Sequence, residues 1–119
     1  MTGNKQDAWQ LLVIWEFTVQ PGKEKLFEQI YGPEGDWTQC FRQANGFVRT
    51  ELSRDLNEPR RYMTLDFWES YAAYETFKLQ HAVEYKAIDQ RCESLTEQER
   101  EIGKFERAAT EIRELKTGN

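Results

Sequence analysis

Residues 9–19 are the segment that most restricts the fold, because they predict a strand that is apolar on both faces. The odd-numbered positions of Trp-Gln-Leu-Leu-Val-Ile-Trp-Glu-Phe-Thr-Val are all apolar, and Leu12 and Ile14 lie in the middle of the other face. Successive side chains of a strand point to opposite sides of a sheet, so neither side of this strand suits water. Helices can cover one side. We expect a second copy of the chain to cover the other.

Two further strands are predicted at residues 47–54 and 61–68. In the second of them, Tyr62, Thr64 and Asp66 alternate with apolar neighbours, so that one face is apolar and the other mixed. The connection between the two strands is short and rich in turn residues. An antiparallel hairpin is the simplest arrangement of this pair.

Helical patterns occupy the segments on either side of this hairpin. The first, residues 23–44, is divided by the Gly-Pro-Glu-Gly sequence that starts at Gly32. The second, residues 70–95, contains neither Gly nor Pro and begins at Ser70, which is placed to cap it. Its apolar stripe loses phase at residues 79–81, which predicts a kink or two short helices.

The fourth strand has the weakest sequence signal. Residues 102–106 are the late candidate for it, and residues 95–99 have the pattern of a capped turn. The resulting order, βαββαβ, is that of a ferredoxin-like fold of the α+β class, with an antiparallel sheet and helices on one face. We predict one domain over residues 9–107, with a flexible N-terminus at residues 1–8 and a polar C-terminal tail at residues 108–119.

Charge and hydropathy exclude several classes of partner. The chain has 16 basic and 21 acidic residues, a net charge of -5 and no basic run, so we expect no nucleic-acid partner. An apolar run of roughly 20 residues, which a membrane span requires, is absent from the sequence. The polar first residues lack the apolar core of a signal peptide, which favours a cytoplasmic protein without membrane attachment.

The thiols and the imidazole offer little to a metal ion. Cys40 and Cys92 lie on apolar helix stripes, so we expect both thiols to be buried and unpaired. His81 is the single histidine of the chain, which rules out a metal centre built from several histidines. The sequence therefore predicts no metal site.

Four segments together resemble a known family. They are Val-Gln-Pro-Gly from Val19, Tyr-Gly-Pro-Glu-Gly-Asp-Trp from Tyr31, Ala-Asn-Gly-Phe from Ala44 and Phe-Trp-Glu-Ser-Tyr-Ala-Ala-Tyr from Phe67. Over residues 9–107 the chain resembles the antibiotic biosynthesis monooxygenase family, and Trp-Glu-Ser with an aromatic residue four positions beyond the serine is the most specific piece. The resemblance implies a dimeric α+β barrel, a homodimer in which two ferredoxin-like sheets pack face to face.

The same resemblance implies an activity. Some members of the family oxidise aromatic phenols with molecular oxygen and without metal or flavin, and one branch degrades haem. This chain has Trp15, Phe77 and Ala87 where the haem-degrading branch has Asn, Trp and His. The resemblance therefore implies a monooxygenase without cofactor that acts on a small planar phenol or quinol, in a cleft between sheet and helices.

Such an oxygenase needs a base for the phenol, a partner for the resulting oxyanion, and aromatic walls that exclude water. The candidate bases are His81 and Asp66. The candidate partners are Arg49 and Tyr62, and the candidate walls of the substrate site are Trp15, Trp68, Phe77 and Tyr85.

Each candidate also has a structural interpretation. Trp15 and Phe77 can be ordinary core, His81 can be an exposed side chain without a role, and Asp66 can form a structural ion pair with Arg49. The alternative function is then a dimeric binding or scaffold module without turnover. Whether the aromatic residues enclose a void or pack shut discriminates between the two.

Overall fold

Residues 9–108, which the computed structural model describes, form four strands and four α-helices. The predicted flexible N-terminus and nearly all of the predicted polar tail lie outside the described residues. None of these helices combines the length and the apolar character that crossing a bilayer requires. In chain order the elements are β1 (Trp9–Val19), α1 (Glu24–Tyr31), α2 (Asp36–Phe41), β2 (Phe47–Arg54), β3 (Arg61–Trp68), α3 (Tyr71–Gln80), α4 (Ala82–Cys92), a 3₁₀ turn (Glu93–Leu95) and β4 (Thr96–Ala108).

The strands form one antiparallel sheet in the order β2-β3-β1-β4. The two central strands pair so that Trp15 lies opposite Thr64 and Val13 lies opposite Asp66. Paired residues on neighbouring strands point to the same side of a sheet, so this register brings the mixed face of β3 beside the aromatic face of β1. The predicted α+β, ferredoxin-like architecture is confirmed.

The bounds of β1, β2 and β3 agree with the predicted strands. The predicted break in the long helical segment is also confirmed, because α3 ends at Gln80 and α4 begins at Ala82. The hydroxyl of Ser70 accepts a hydrogen bond from the backbone N–H of Ala73 at 3.1 Å, as a capping residue does. This cap fixes where α3 leaves the sheet.

The fourth strand was predicted wrongly in its extent. β4 is a 13-residue strand that starts at Thr96, so the turn predicted over residues 95–99 is not formed. Its sequence is mostly polar on both faces, with Ile102 and Phe105 as the large apolar exceptions, and therefore lacks the alternation that identifies a half-buried strand. Its hydrogen bonds to β1, with a pairing that skips Ile102, hold it in the sheet.

The core lies between the sheet and the helices. On this side of β1, Leu11, Val13, Phe17 and Val19 are at most 4% exposed. On the other side of the sheet, several apolar side chains of the central strands remain partly exposed in a single chain, namely Leu12, Ile14, Met63 and Leu65, whereas Phe67 on the same face is buried. The second copy that would cover this face stays a prediction.

Two glycines with positive φ provide a matched test of packing at the start of β2. Gly46 has φ +97, and a Cβ there would lie 2.6 Å from the Cβ of Ala73, whereas Gly22 has φ +85 and open space around it. Positive φ costs an L-residue about 1–2 kcal/mol, so Gly22→Ala should lower the free energy of unfolding by that amount. Gly46→Ala should cost about 3 kcal/mol, because α3 must also move. Urea unfolding of both variants measures the difference, and equal losses would contradict it.

Candidate functional site

A cavity of about 60 Å³ lies between the sheet and the helices. It reaches the surface near Asp89 and Glu99, whose side chains are exposed. Aromatic, hydroxyl and carboxyl groups make up its walls. The residues that line it are Trp15, Phe17, Tyr31, Trp37, Phe41, Thr50, Thr64, Asp66, Tyr85, Asp89 and Glu99.

The alternation of side chains along the two central strands determines which residues form the inner wall of the cavity. Trp15 and Phe17 are two residues apart on β1, and Thr64 and Asp66 are two residues apart on β3, so each pair shares one side of its strand. The register adds Thr50 of β2, which lies opposite Asp66. The floor of the cavity is therefore a patch of aromatic and polar side chains in the middle of the sheet.

Packed rings form the opposite walls. The ring centroids of Phe17 and Tyr31 are 5.0 Å apart, those of Tyr31 and Trp37 are 6.1 Å apart, and those of Trp37 and Tyr85 are 4.9 Å apart. Each ring is in contact with the next at distances typical of favourable aromatic pairs. This chain of rings links β1, α1, α2 and α4 around the cavity.

Asp66 is the ionisable group on the floor of the cavity. Burial raises the pKa of its carboxyl to about 7, and the hydrogen bond from Thr50 opposes that increase. The Thr50 hydroxyl donates this bond to Oδ1 at 2.7 Å. No basic side chain among the described residues forms an ion pair with Asp66. The carboxyl can therefore both accept and release a proton near neutral pH.

Two other lining groups are held in their protonated form more firmly than usual. Burial, followed by the nearby Asp89 carboxylate, raises the pKa of Tyr85 to about 12. Partial desolvation at the mouth of the cavity, followed by the Asp89 and Glu93 carboxylates, also raises the pKa of Glu99. Tyr85 is thus a neutral phenol that can donate a hydrogen bond at physiological pH.

Trp37 brings an unsatisfied donor to the wall. The residue is 8% exposed, and its indole Nε1 has no hydrogen-bond acceptor among the described residues. A buried N–H without a partner costs free energy, so this indole lowers the stability of the wall that it forms.

Three of the predicted site residues, Trp15, Asp66 and Tyr85, lie together in this cavity. Two other predicted walls, Trp68 and Phe77, are 0% exposed and do not line it. Their rings pack against each other at 5.3 Å. Both belong to the closed part of the core, since α2 and α3 cover the end of β3.

Arg49 lies on the opposite side of the sheet from the cavity. Its guanidinium is 4.0 Å from the ring centre of Phe67 and donates to Glu51 at 2.8 Å. The pairing register is the reason, because Arg49 lies opposite Phe67 and it is Thr50 that lies opposite Asp66. The alternative ion pair between Arg49 and Asp66 is therefore wrong.

Tyr62 and His81 also lie away from the cavity lining. The Tyr62 hydroxyl donates to Glu28 at 2.6 Å, at the end of β3 remote from Trp68. His81 stands at the break between α3 and α4, where its ring stacks on Phe77 at 5.2 Å. Of the two candidate bases, Asp66 is the one that faces the cavity.

Several lining residues were not predicted. Thr64 shares a strand face with Asp66, so the alternation of β3 contains a signal for it. Asp89 follows Tyr85 by four residues, and helical spacing puts the two on one face of α4. Glu99 had no signal, because β4 was not predicted to extend that far.

The thiols and acidic groups give no sign of a metal site. Cys40 and Cys92 are buried and unpaired, as predicted, and burial raises the pKa of the Cys40 thiol to about 12. Within residues 9–108, His, Cys, Asp and Glu side chains nowhere gather in a group of three that could hold a metal ion.

The raised pKa of Asp66 predicts a pH dependence of stability. The folded-state pKa of about 7 exceeds the unfolded value, so folded protein binds a proton that unfolded protein has released across the interval between them. The free energy of unfolding should therefore fall as pH rises through this interval. Between pH 5 and 8 the native protein should lose about 2 kcal/mol more than Asp66→Asn, as measured by denaturant unfolding. Glu58→Gln, in an exposed loop, should behave like the native protein; a parallel loss in Asp66→Asn would contradict the assignment.

The hydrogen bond from Thr50 predicts a second pKa effect. It favours the ionised carboxylate, so Thr50→Val should raise the pKa of Asp66 further, because valine keeps the shape and removes the donor. Titration of the carboxyl carbon by NMR measures this change. Thr64→Val is the matched control on the same cavity floor and should shift the pKa less. An unchanged or lowered pKa in Thr50→Val would exclude this role.

Solved structures with the same architecture include characterised and uncharacterised proteins. SnoaB, a cofactor-independent oxygenase from Streptomyces nogalater, is 22% identical, with a TM-score of 0.66 over 85% of this chain and 94% of that chain. A protein from Pseudomonas aeruginosa is 16% identical, with a TM-score of 0.58 over 87% and 97%. One from Shewanella oneidensis is 18% identical, with a TM-score of 0.56 over 84% and 92%. At these identities the likeness supports the fold.

The family assignment comes from the sequence. A comparison with curated proteins finds no match. The model of the family described as antibiotic biosynthesis monooxygenase matches residues 11–88, which is more than half of the chain and includes nine of the eleven residues that line the cavity. The chain therefore belongs to the antibiotic biosynthesis monooxygenase family.

Proposed function

We propose that this protein is a cofactor-independent monooxygenase that oxidises a small planar phenol or quinol in the cavity. The observation that carries the proposal is Asp66, a carboxyl group with a pKa of about 7 that faces an aromatic cavity. Membership of the monooxygenase family and the fold shared with an oxygenase that uses no cofactor support it.

Asp66 supplies the base. Close to neutral pH a large fraction of this carboxyl is ionised, and the bond from Thr50 holds the ionised form in place. It takes a proton from the substrate, either from a phenolic O–H or from a ring CH₂ group that the phenol activates. The negative charge then moves to the substrate, while protonated Asp66 can donate a hydrogen bond back to it.

Dioxygen is the oxidant, and the substrate supplies all four electrons that reduce it. The carbanion of a ring CH₂ group forms a C–O bond with dioxygen and gains a proton, which gives a hydroperoxide. Loss of the remaining C–H proton then breaks the O–O bond, and hydroxide leaves and takes up the proton as water. The sum is CH₂ plus O₂ to C=O plus H₂O, so no external reductant is consumed.

The walls limit the size of the substrate. Because a water molecule needs about 10–15 Å³ of such volume, 60 Å³ holds roughly four water-sized groups. A single phenol ring is larger than this volume, so its binding requires side-chain movement at the walls, and a larger fused system must leave part of itself at the surface. The aromatic side chains that surround the bound substrate ring exclude water from the reacting carbon.

A second copy of the chain completes this proposal. The face of the sheet away from the helices carries the partly exposed apolar side chains of β1 and β3. Burying them against the same face of another chain would form the dimeric barrel that the family resemblance implies.

A non-catalytic binding module is the second candidate function. The specific observation in its favour is that, among residues 9–108, no His, Lys or Arg lines the cavity beside Asp66. The acid and base roles then both depend on a single carboxyl.

Oxygen uptake with anthrone-type and quinol substrates tests the oxygenase. Asp66→Asn should lower the rate about 100-fold or more, because a positioned base contributes at least that factor in typical enzymes. His81→Gln should stay within about twofold of the native rate, since its ring lies outside the cavity lining. Activity that depends on His81 and not on Asp66 would reverse the assignment of the base. No uptake above buffer by the native protein would favour the binding module.

A further inference from the structure

The cavity carries net negative charge. Asp66, Asp89 and Glu99 line it, and none of the lining residues in the described part of the chain is basic. Lys78 and Lys104 are near the cavity but do not line it. Lys78 Nζ is 4.9 Å from the centre of the Tyr85 ring, and Lys104 Nζ is bound to Glu101 at 2.6 Å.

The carboxylates at the mouth lack counter-ions within the described part of the chain. Glu16, on the other side of the sheet, forms ion pairs with both Arg61 and Arg100. Asp89 and Glu99 form none among residues 9–108. Their mutual repulsion is one reason that the pKa of Glu99 is raised. A cation at the mouth would relieve this repulsion.

The aromatic walls also favour a positively charged group. Trp15, Trp37 and Tyr85 present rings to the cavity, and the face of such a ring is negative. Aromatic walls with nearby carboxylates form a site that suits an organic cation. A metal ion fits less well, because no three ligating side chains gather within residues 9–108.

We propose that the cavity selects an aromatic ligand that carries a protonated amine, with its ring beside Trp15 and Asp66 and its ammonium group between Asp89 and Glu99. The position of the ring rests on the proposed function, whereas the preference for a cation rests on the charges at the mouth. A phenolic amine whose ring system also carries the activated CH₂ group is then the substrate class of this enzyme. Aromatic acids are excluded, since a carboxylate would face two others.

Isothermal titration calorimetry with three phenols of similar size tests the preference. Tyramine is cationic, 4-propylphenol is neutral and 4-hydroxyphenylacetate is anionic at pH 7.5. Tyramine should bind about tenfold more tightly than 4-propylphenol, as expected for two partly exposed charge pairs, and the acid should bind most weakly. The preference should shrink at high salt, because exposed charges are screened. Equal affinities for tyramine and 4-propylphenol, or no binding of tyramine, would overturn the proposal.

Matched variants identify the groups responsible. Glu99→Gln and Asp89→Asn should each weaken tyramine binding about threefold and leave 4-propylphenol unchanged, because each removes one exposed charge pair. Glu58→Gln removes the same charge from an exposed loop and should change neither affinity. Loss of tyramine affinity in Glu58→Gln equal to that in Glu99→Gln would show an effect of net charge alone and overturn the site.

Binding and oxygen uptake together distinguish the cation site from the proposed oxygenase reaction. Preferential tyramine binding without oxygen uptake from any phenol would leave the cation site in place and remove the proposed reaction. Oxygen uptake with equal affinity for neutral and cationic phenols would leave the reaction in place and remove the preference for an amine.

Discussion

The pairing of β1 with β3 at the centre of the sheet is the constraint on which the rest of the structure depends. It decides which side chains share a side, and so it puts Trp15 next to Thr64 and brings Asp66 into the middle of the helix-facing surface. A slip of one residue would turn the carboxyl towards the other face and a bulky apolar side chain into the cavity. Both faces of β1 are apolar, and a strand at the edge of the sheet would expose more of them to water. This favours the central position of β1.

The same aromatic network forms both the closed core and the cavity. At one end, Trp68 and Phe77 pack without a gap against Phe41, whose ring centroid is 5.6 Å from that of Trp68. Towards the other end, Phe41 and its neighbour Trp37 line the open volume. The Trp-Glu-Ser segment that best marks the family is therefore structural in this chain, since Trp68 fills the core and Ser70 caps α3. The candidate chemistry comes from side chains outside that segment.

Electrostatics distinguish this cavity from an ordinary gap in packing. A carboxyl group on a sheet floor, with one hydroxyl donor as its partner, costs free energy that a purely apolar residue would not. The unpaired carboxylates at the mouth add to that cost. Titratable groups with shifted pKa values accumulate at functional sites, because binding a proton or a ligand there is part of the function. The packed aromatic core beside the cavity offsets this loss of folding free energy.

The sequence by itself determined the elements that depend on local pattern. Alternation located β1, β2 and β3, the loss of phase located the break at His81, and the order of elements implied the sheet. Tertiary structure decided what local pattern does not contain. β4 is held by hydrogen bonds to β1 although most of its side chains are polar on both faces, and through it Glu99 reaches the cavity. The register of β2 against β3 decided that Thr50, and not Arg49, bonds Asp66. Registers and edge strands depend on contacts between segments far apart in the chain, so the site could be predicted only for Trp15, Asp66 and Tyr85, whose strand or helix face was already apparent from the sequence.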